Sequence, residues 1–222
     1  MNRKKWITVL CLLLCAVLIL PLAGCEEKSA PKPIEFPVEG FTWGMTLEEA
    51  KNVLNQKGVV FEENDLNTGK IILGIAPSEL SKLNVEKIAG LPLSQASYRP
   101  LSMQFDLYSR GVYRLIFAVV QVDIPTEKTS LTTAEVEDVL TEAFDEMYGE
   151  RPEGVGVWTT YNATLTEKDC EKLSAETLAR VQNRNYAADS VYPHAWHTVD
   201  EYSMQGVLYF ADTDYAELLY GK

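Results

Sequence analysis

The chain lacks the short motifs that most often mark an enzyme. Its 222 residues include only two histidines, His194 and His197, and no Gly-x-Ser-x-Gly elbow, His-Glu-x-x-His helix, phosphate-binding loop or Gly-x-Gly-x-x-Gly turn. A nucleophile and its base meet in space rather than in sequence, so a dispersed catalytic site stays open. The sequence itself predicts no catalytic residue, no metal site and no cofactor.

Positive charge is also scarce. All 32 acidic residues follow Cys25, whereas three of the 20 basic residues precede it, so the chain from Cys25 onward has 17 basic against 32 acidic residues, a net charge of −15. A charge of that sign repels phosphate backbones and anionic lipid headgroups. The composition therefore argues against nucleic acid as a partner.

Cysteine is nearly absent from the main part of the chain. Cys11 and Cys15 lie in an N-terminal apolar stretch, which leaves Cys25 and Cys170. The spacing of Cys170 to the leucines and valine that follow favours a buried position on a helix, where a thiol behaves as a small apolar group. A nucleophilic or redox thiol is the alternative.

The N-terminus has the layout of a removable signal peptide. A basic cluster at 3–5 precedes an apolar run from Val9 to Leu20 and then Leu22-Ala23-Gly24-Cys25. A cationic start, an apolar stretch of roughly 7 to 15 residues and small residues at the cut describe such a signal. We predict a signal peptide over 1–24. An uncleaved membrane span is the alternative, and both place the rest of the chain outside the cytoplasm.

The small residues just before Cys25 resemble the lipobox of bacterial lipoproteins. The resemblance implies cleavage before Cys25 and attachment there of two or three acyl chains, such as palmitate. Stable anchoring needs more than one chain, because a single chain binds a membrane only marginally. We therefore expect an extracytoplasmic protein of the cell envelope, lipid-anchored to the membrane through Cys25.

The remaining pattern predicts a Pro-rich tether over 25–40 and a single α+β domain over 41–222. Two Thr-x-x-Glu capping boxes, at Thr46 and Thr132, open amphipathic helices, and an alternating strand from Leu101 turns into a continuously apolar one. The elements show hairpin connections rather than a regular alternation of strand and helix, which favours helices packed on one face of a largely antiparallel sheet. The two capped helices also suggest a faint tandem duplication, with halves at 41–125 and 130–222.

The stretch Trp43-Gly44-Met45-Thr46-Leu47-Glu48-Glu49 resembles the W-G-M-[ST]-x-E-E opening of many small exported bacterial lipoproteins. More distantly, it is similar to the start of the repeat shared by BamE-like and β-lactamase inhibitory protein-like modules. The resemblance implies a small α/β module that binds other proteins and has no catalytic residue. A Gly-x-Pro after the first helix is missing, so the resemblance does not extend to a specific assembly role.

The segment 184–204 shows no periodicity and is rich in aromatic side chains. Loops longer than about 12 to 15 residues are uncommon and often functional, and aromatic side chains are favoured at binding hot spots. The candidate binding residues are Tyr192, His194, Trp196, His197 and Tyr202. A loop packed onto the sheet is the alternative. The two histidines could begin a zinc site, but two ligands do not specify one.

These observations favour a membrane-tethered, non-enzymatic binding or adaptor lipoprotein with a protein partner. Two alternatives from other classes stay open. One is a small envelope hydrolase or metal-dependent enzyme that uses His194 or His197 with nearby carboxylates, and the other is a receptor for a small ligand.

Overall fold

The computed structural model describes residues 34–108, 111–126, 128, 130–150, 158–159, 171, 175 and 194–211. The predictions for Cys25, Cys170, Tyr192 and the signal peptide lie outside the described residues. No helix within the described ranges is long and apolar enough to cross a membrane.

Within the described residues, seven strands form one antiparallel sheet in the order β1-β2-β5-β6-β9-β8-β7. They are β1 (Phe61–Asp65), β2 (Lys70–Ile75), β5 (Leu101–Tyr108), β6 (Val112–Val122), β7 (Trp158–Thr159), β8 (His194–Asp200) and β9 (Gln205–Ala211). A small hairpin joins β3 (Lys87–Ile88) to β4 (Leu91–Pro92). The predicted hairpin is β5–β6. Its continuously apolar second strand, β6, is central in the sheet because β5 and β9 flank it.

The predicted capping boxes both form. Helix α1 (Leu47–Gln56) begins at Thr46, whose backbone N–H donates to the Glu49 carboxylate at 2.8 Å. Helix α2 (Thr133–Tyr148) begins at Thr132 in the same way, with Glu135 as partner at 2.9 Å. Each box satisfies two N–H groups that have no partner inside the helix. A short 3-10 helix (Pro77–Leu83) was not predicted.

Helices α1 and α2 pack on the same face of the sheet, which we call the covered face. Alternate residues of β5, β6 and β9 line it and share one buried cluster with the apolar side of each helix: Leu101, Met103, Phe105, Ala118, Val120, Leu208, Phe210, Leu54, Leu140 and Phe144. The contact is close, because a Cβ added at Gly206 would lie 2.5 Å from Leu140 Cδ2. The predicted α+β class, with helices on one face of a largely antiparallel sheet, is confirmed.

The predicted tether is wrong at its C-terminal end. Ile34, Phe36 and Val38 are buried in the main core, and the indole Nε1 of Trp43 donates to the carbonyl of Ile34 at 3.0 Å. Prolines interrupt this stretch, but its apolar residues alternate as in a strand that packs one side inward. The packed core therefore already includes Ile34, seven residues before the predicted start of the domain at Phe41.

An irregularity in β6 changes the neighbour of this strand. The register with β5 shifts between Gln104 and Phe105, so that one extra residue of β6 is accommodated. On one side of the shift β6 pairs with β9 up to Phe117. On the other side Leu115 exchanges backbone hydrogen bonds with the segment before α1, accepting from Gly44 at 2.9 Å and donating to Met45 at 2.8 Å.

Candidate functional site

The segment predicted as a loop over 184–204 contains a strand. Residues His194–Asp200 form β8, which pairs along its whole length with β9 and is joined to it by a turn at 201–204. The prediction of an irregular loop is wrong for these residues. Tyr192 belongs to the part of the chain that the structure does not describe.

Strand geometry separates the two histidines. Successive side chains of a strand point to opposite faces, so residues three apart, such as His194 and His197, lie on different sides of the sheet. Cross-strand partners agree, since His197 is opposite Leu208 of the covered face and His194 is opposite Ala211. The two imidazoles therefore do not converge, and the hypothesis of a zinc site begun by both is not supported.

His197 is part of the packing between α2 and the sheet. Its Nε2 lies 3.1 Å from the hydroxyl oxygen of Thr141 in α2, and its ring is 5.6 Å from Phe144 and 5.3 Å from Trp158. Trp158 in turn donates its indole N–H to Asp145 at 2.9 Å. An aromatic side chain with a polar tip suits this position, where one end meets apolar rings and the other a hydroxyl.

Four rings form a row on the face of the sheet opposite to α1 and α2, which we call the second face. Trp196 stacks on Tyr209 with a centroid separation of 5.0 Å and an interplanar angle of 8°. His194 also stacks on Trp196, with a centroid separation of 5.4 Å and an interplanar angle of 17°. The ring centroid of Phe117 lies 5.8 Å from that of Trp196. We call His194, Trp196, Tyr209 and Phe117 the aromatic row.

The register of three strands produces the aromatic row. Trp196 of β8 and Tyr209 of β9 are direct cross-strand partners, and His194 is two residues from Trp196 on the same strand. Such pairs hold side chains about 4.5 to 5.5 Å apart at Cβ, which brings planar rings into contact. Each ring is half-buried, so the row is partly accessible and its shape is fixed by the sheet.

Tyr202 lies away from the aromatic row. It is fully exposed in the β8–β9 turn, whereas Trp196 is six residues earlier, on the strand. The turn is held by Asp200, whose carboxylate accepts from the Ser203 hydroxyl at 2.8 Å and the Tyr202 backbone N–H at 3.0 Å. These two hydrogen bonds lower the pKa of Asp200, that of Ser203 contributing most. The predicted grouping of Tyr202 with Trp196 is therefore wrong.

The sequence analysis missed two members of the row, Tyr209 and Phe117. Phe117 is in the second strand of the predicted hairpin and Tyr209 is in β9, and the position of each side chain on the second face follows from strand alternation. Their proximity to Trp196 depends on the register between strands, which the sequence pattern does not contain. The described ranges hold no cluster of three histidine, cysteine or carboxylate side chains suited to a metal ion.

Comparison with known proteins adds no relative: no protein-family model, no curated protein and no solved structure matches this chain.

Proposed function

We propose that the chain is an extracytoplasmic lipoprotein, anchored through acyl chains on Cys25, which acts as a non-enzymatic binding or adaptor protein of the cell envelope. The signal layout ending at Cys25 supports the location. The net charge of −15 after the signal supports a partner that is neither nucleic acid nor an anionic lipid surface.

The aromatic row carries the binding part of this proposal. Its rings are held in place by backbone pairing, so little side-chain freedom is lost when a partner covers them. Tyr and Trp combine a large apolar surface with a polar tip, which explains their enrichment at binding hot spots. The described helices pack on the opposite face, so they do not compete for this surface.

A receptor for a small ligand is the second candidate. The stacked rings of Trp196 and Tyr209 are half-buried and leave apolar surface that a planar ring or a sugar could contact. The enzyme alternative has less support, because the covered face holds His197 in packing contacts and the other histidine is on the second face. An enzyme would have to use one histidine without the other.

Replacement of Trp196 tests the proposed surface. The chain, purified in detergent from solubilised envelope, should retain its partner in the wild type and lose it in Trp196→Ala. Tyr202→Ala is the matched control, since it removes an exposed aromatic ring outside the row. Equal retention by the wild type and Trp196→Ala would exclude the aromatic row as the contact surface. Measuring the binding of sugars and aromatic ligands to the purified protein would then test the receptor alternative.

The proposed anchor has a separate test. Mass spectrometry of the mature protein should show a lipid-modified Cys25 at its N-terminus, and Cys25→Ser should abolish that modification. An unmodified Cys25 in the wild type would contradict the anchor without affecting the test of the aromatic row.

A further inference from the structure

A groove runs between the C-terminal half of α2 and the β3–β4 hairpin, on the helix side of the sheet. It encloses a volume of about 430 Å³, within the range of roughly 300 to 1,000 Å³ that is typical of ligand pockets. Its apolar lining comes from both elements and from the N-terminal segment: Pro37, Ile88, Ala89, Ala143 and Met147. Met147 is 38% exposed, and a methionine adapts its shape to varied apolar partners.

Negative charge surrounds this apolar lining. Helix α2 has six acidic and no basic side chains in Thr133–Tyr148, and Glu146 lines the groove itself. Glu142, one helical turn earlier, is exposed as well, and neither Glu142 nor Glu146 has an ion pair with any described residue. Lys87 is the one cation among the described residues that line the groove.

The C-terminal end of α2 also lacks a compensating positive charge of its own. Helix C-termini carry partial negative charge and are stabilised by cations. Here the last turn holds Asp145 and Glu146 and no basic residue, so the local charge is opposite to what helix stability favours. A cationic partner would compensate it.

We propose that this groove docks a segment of a partner protein in which an apolar anchor side chain is flanked by lysine or arginine. The anchor would contact Met147 and Ala143, and the flanking cations would lie against Glu142 and Glu146. Charge complementarity of this kind raises association rates and selects among partners. The inference goes beyond the proposed function, because the groove and the aromatic row are on opposite sides of the sheet.

Synthetic peptides provide the probe. The full-length protein in detergent is titrated into a fluorescently labelled peptide with two leucines flanked by lysines, and anisotropy is measured at low and high salt. Two control peptides have glutamate in place of lysine, or serine in place of leucine. The leucine–lysine peptide should bind and weaken with salt, and both control peptides should bind at least about tenfold more weakly. Failure of the leucine–lysine peptide to bind would overturn the proposal.

Charge reversal on α2 locates the binding site. Glu146→Lys should weaken binding about tenfold, and it should leave the melting temperature unchanged or higher because a cation at a helix C-terminus is favourable. Loss of binding would then not result from unfolding. Glu137→Lys is the matched control, with the same charge change on an exposed residue about two and a half turns away. Equal losses in both variants would show non-specific attraction to an acidic protein and overturn the groove.

Two further variants separate this surface from others. Met147→Ser should weaken binding of the leucine–lysine peptide, whereas Trp196→Ala should not. Loss of peptide binding in a folded Trp196→Ala would assign the peptide to the aromatic row and overturn the groove. Sedimentation of the free protein should show no self-association through this surface, and a dimer abolished by Met147→Ser would assign the groove to a second copy of the chain instead.

Discussion

The two faces of the sheet use the same kinds of side chain for different purposes, and β8 shows this within seven residues. His197 on the covered face is fixed between α2 and a ring of the core, whereas His194 on the second face ends a row of half-exposed rings. The residue type is the same, and the face decides its role. In β8, therefore, the face to which a side chain points says more about its role than its residue type does.

The covered face depends on close packing. Phe144 is fully buried and touches four other rings, those of Tyr148, Trp158, His197 and Phe210. On the second face the rings stack over one another, but each keeps some surface in solvent. Removal of a ring should therefore destabilise the fold when the ring is on the covered face, and weaken binding when it is on the second face.

The largest effect is expected from Phe144→Ala. It removes a fully buried ring and leaves a cavity between α2 and the sheet, which should lower the free energy of unfolding by roughly 3 to 5 kcal/mol. Urea unfolding measures it. Trp196→Ala, measured in parallel, should lose about 0.5 to 1.5 kcal/mol, the stacking energy of an aromatic pair. Equal losses for the two variants would show that the faces do not differ in this way.

The two histidines give a closer comparison of the faces. His197→Ala should lower the free energy of unfolding by about 1 to 3 kcal/mol, because it removes contacts with Phe144 and Thr141 under the helix. His194→Ala should change it by about 0.5 kcal/mol. Chemical denaturation of both variants decides the matter, and a larger effect at His194 would reverse our assignment of the faces.

The smallest effect concerns the start of α2, one of the helices that pack on the covered face. Hydrogen bonds from Lys128, and then from Thr132, lower the pKa of Glu135 to about 2. Because the pKa is lowered on folding, the ionised carboxylate stabilises the folded state at pH values above the pKa of the unfolded chain, near 4.3. This stabilisation is lost as pH falls toward 2. Glu135→Gln should therefore melt at a lower temperature than the wild type near pH 6, and the difference should shrink steadily as pH falls through 4 toward 2.

The control for this variant is Glu137→Gln, which removes an exposed carboxylate of the same helix that caps nothing. Its melting temperature should follow that of the wild type across the pH range. A constant difference between Glu135→Gln and the wild type from pH 6 to 2 would contradict the role of the ionised cap.

Local signals in the sequence were sufficient for the helices. Thr46 with Glu49 and Thr132 with Glu135 form boxes whose partners are three residues apart, so their geometry is decided within one helical turn. The β5–β6 hairpin was predictable for the same reason, because its two strands are adjacent in the chain. These elements define the α+β class.

Non-local contacts explain what the sequence did not predict. Strand β8 mixes histidine, tryptophan and threonine with Ala195 and Val199, so its alternation is hidden until its pairing with β9 shows which side chains face the core. Of the aromatic row, Trp196 and His194 were identified, but Tyr209 and Phe117 were not, since interstrand register brings them together. The groove joins Ala89 to Met147, which are distant in sequence.

The burial of the N-terminal segment has a mechanical consequence. Ile34, Phe36 and Val38 are inserted in the core, and the Trp43 indole holds the carbonyl of Ile34. A force applied to the chain ahead of Ile34 therefore acts directly on the core through these side chains. Under tension applied from its N-terminal side, the domain should therefore begin to unfold by extraction of Ile34 and Phe36 from the core.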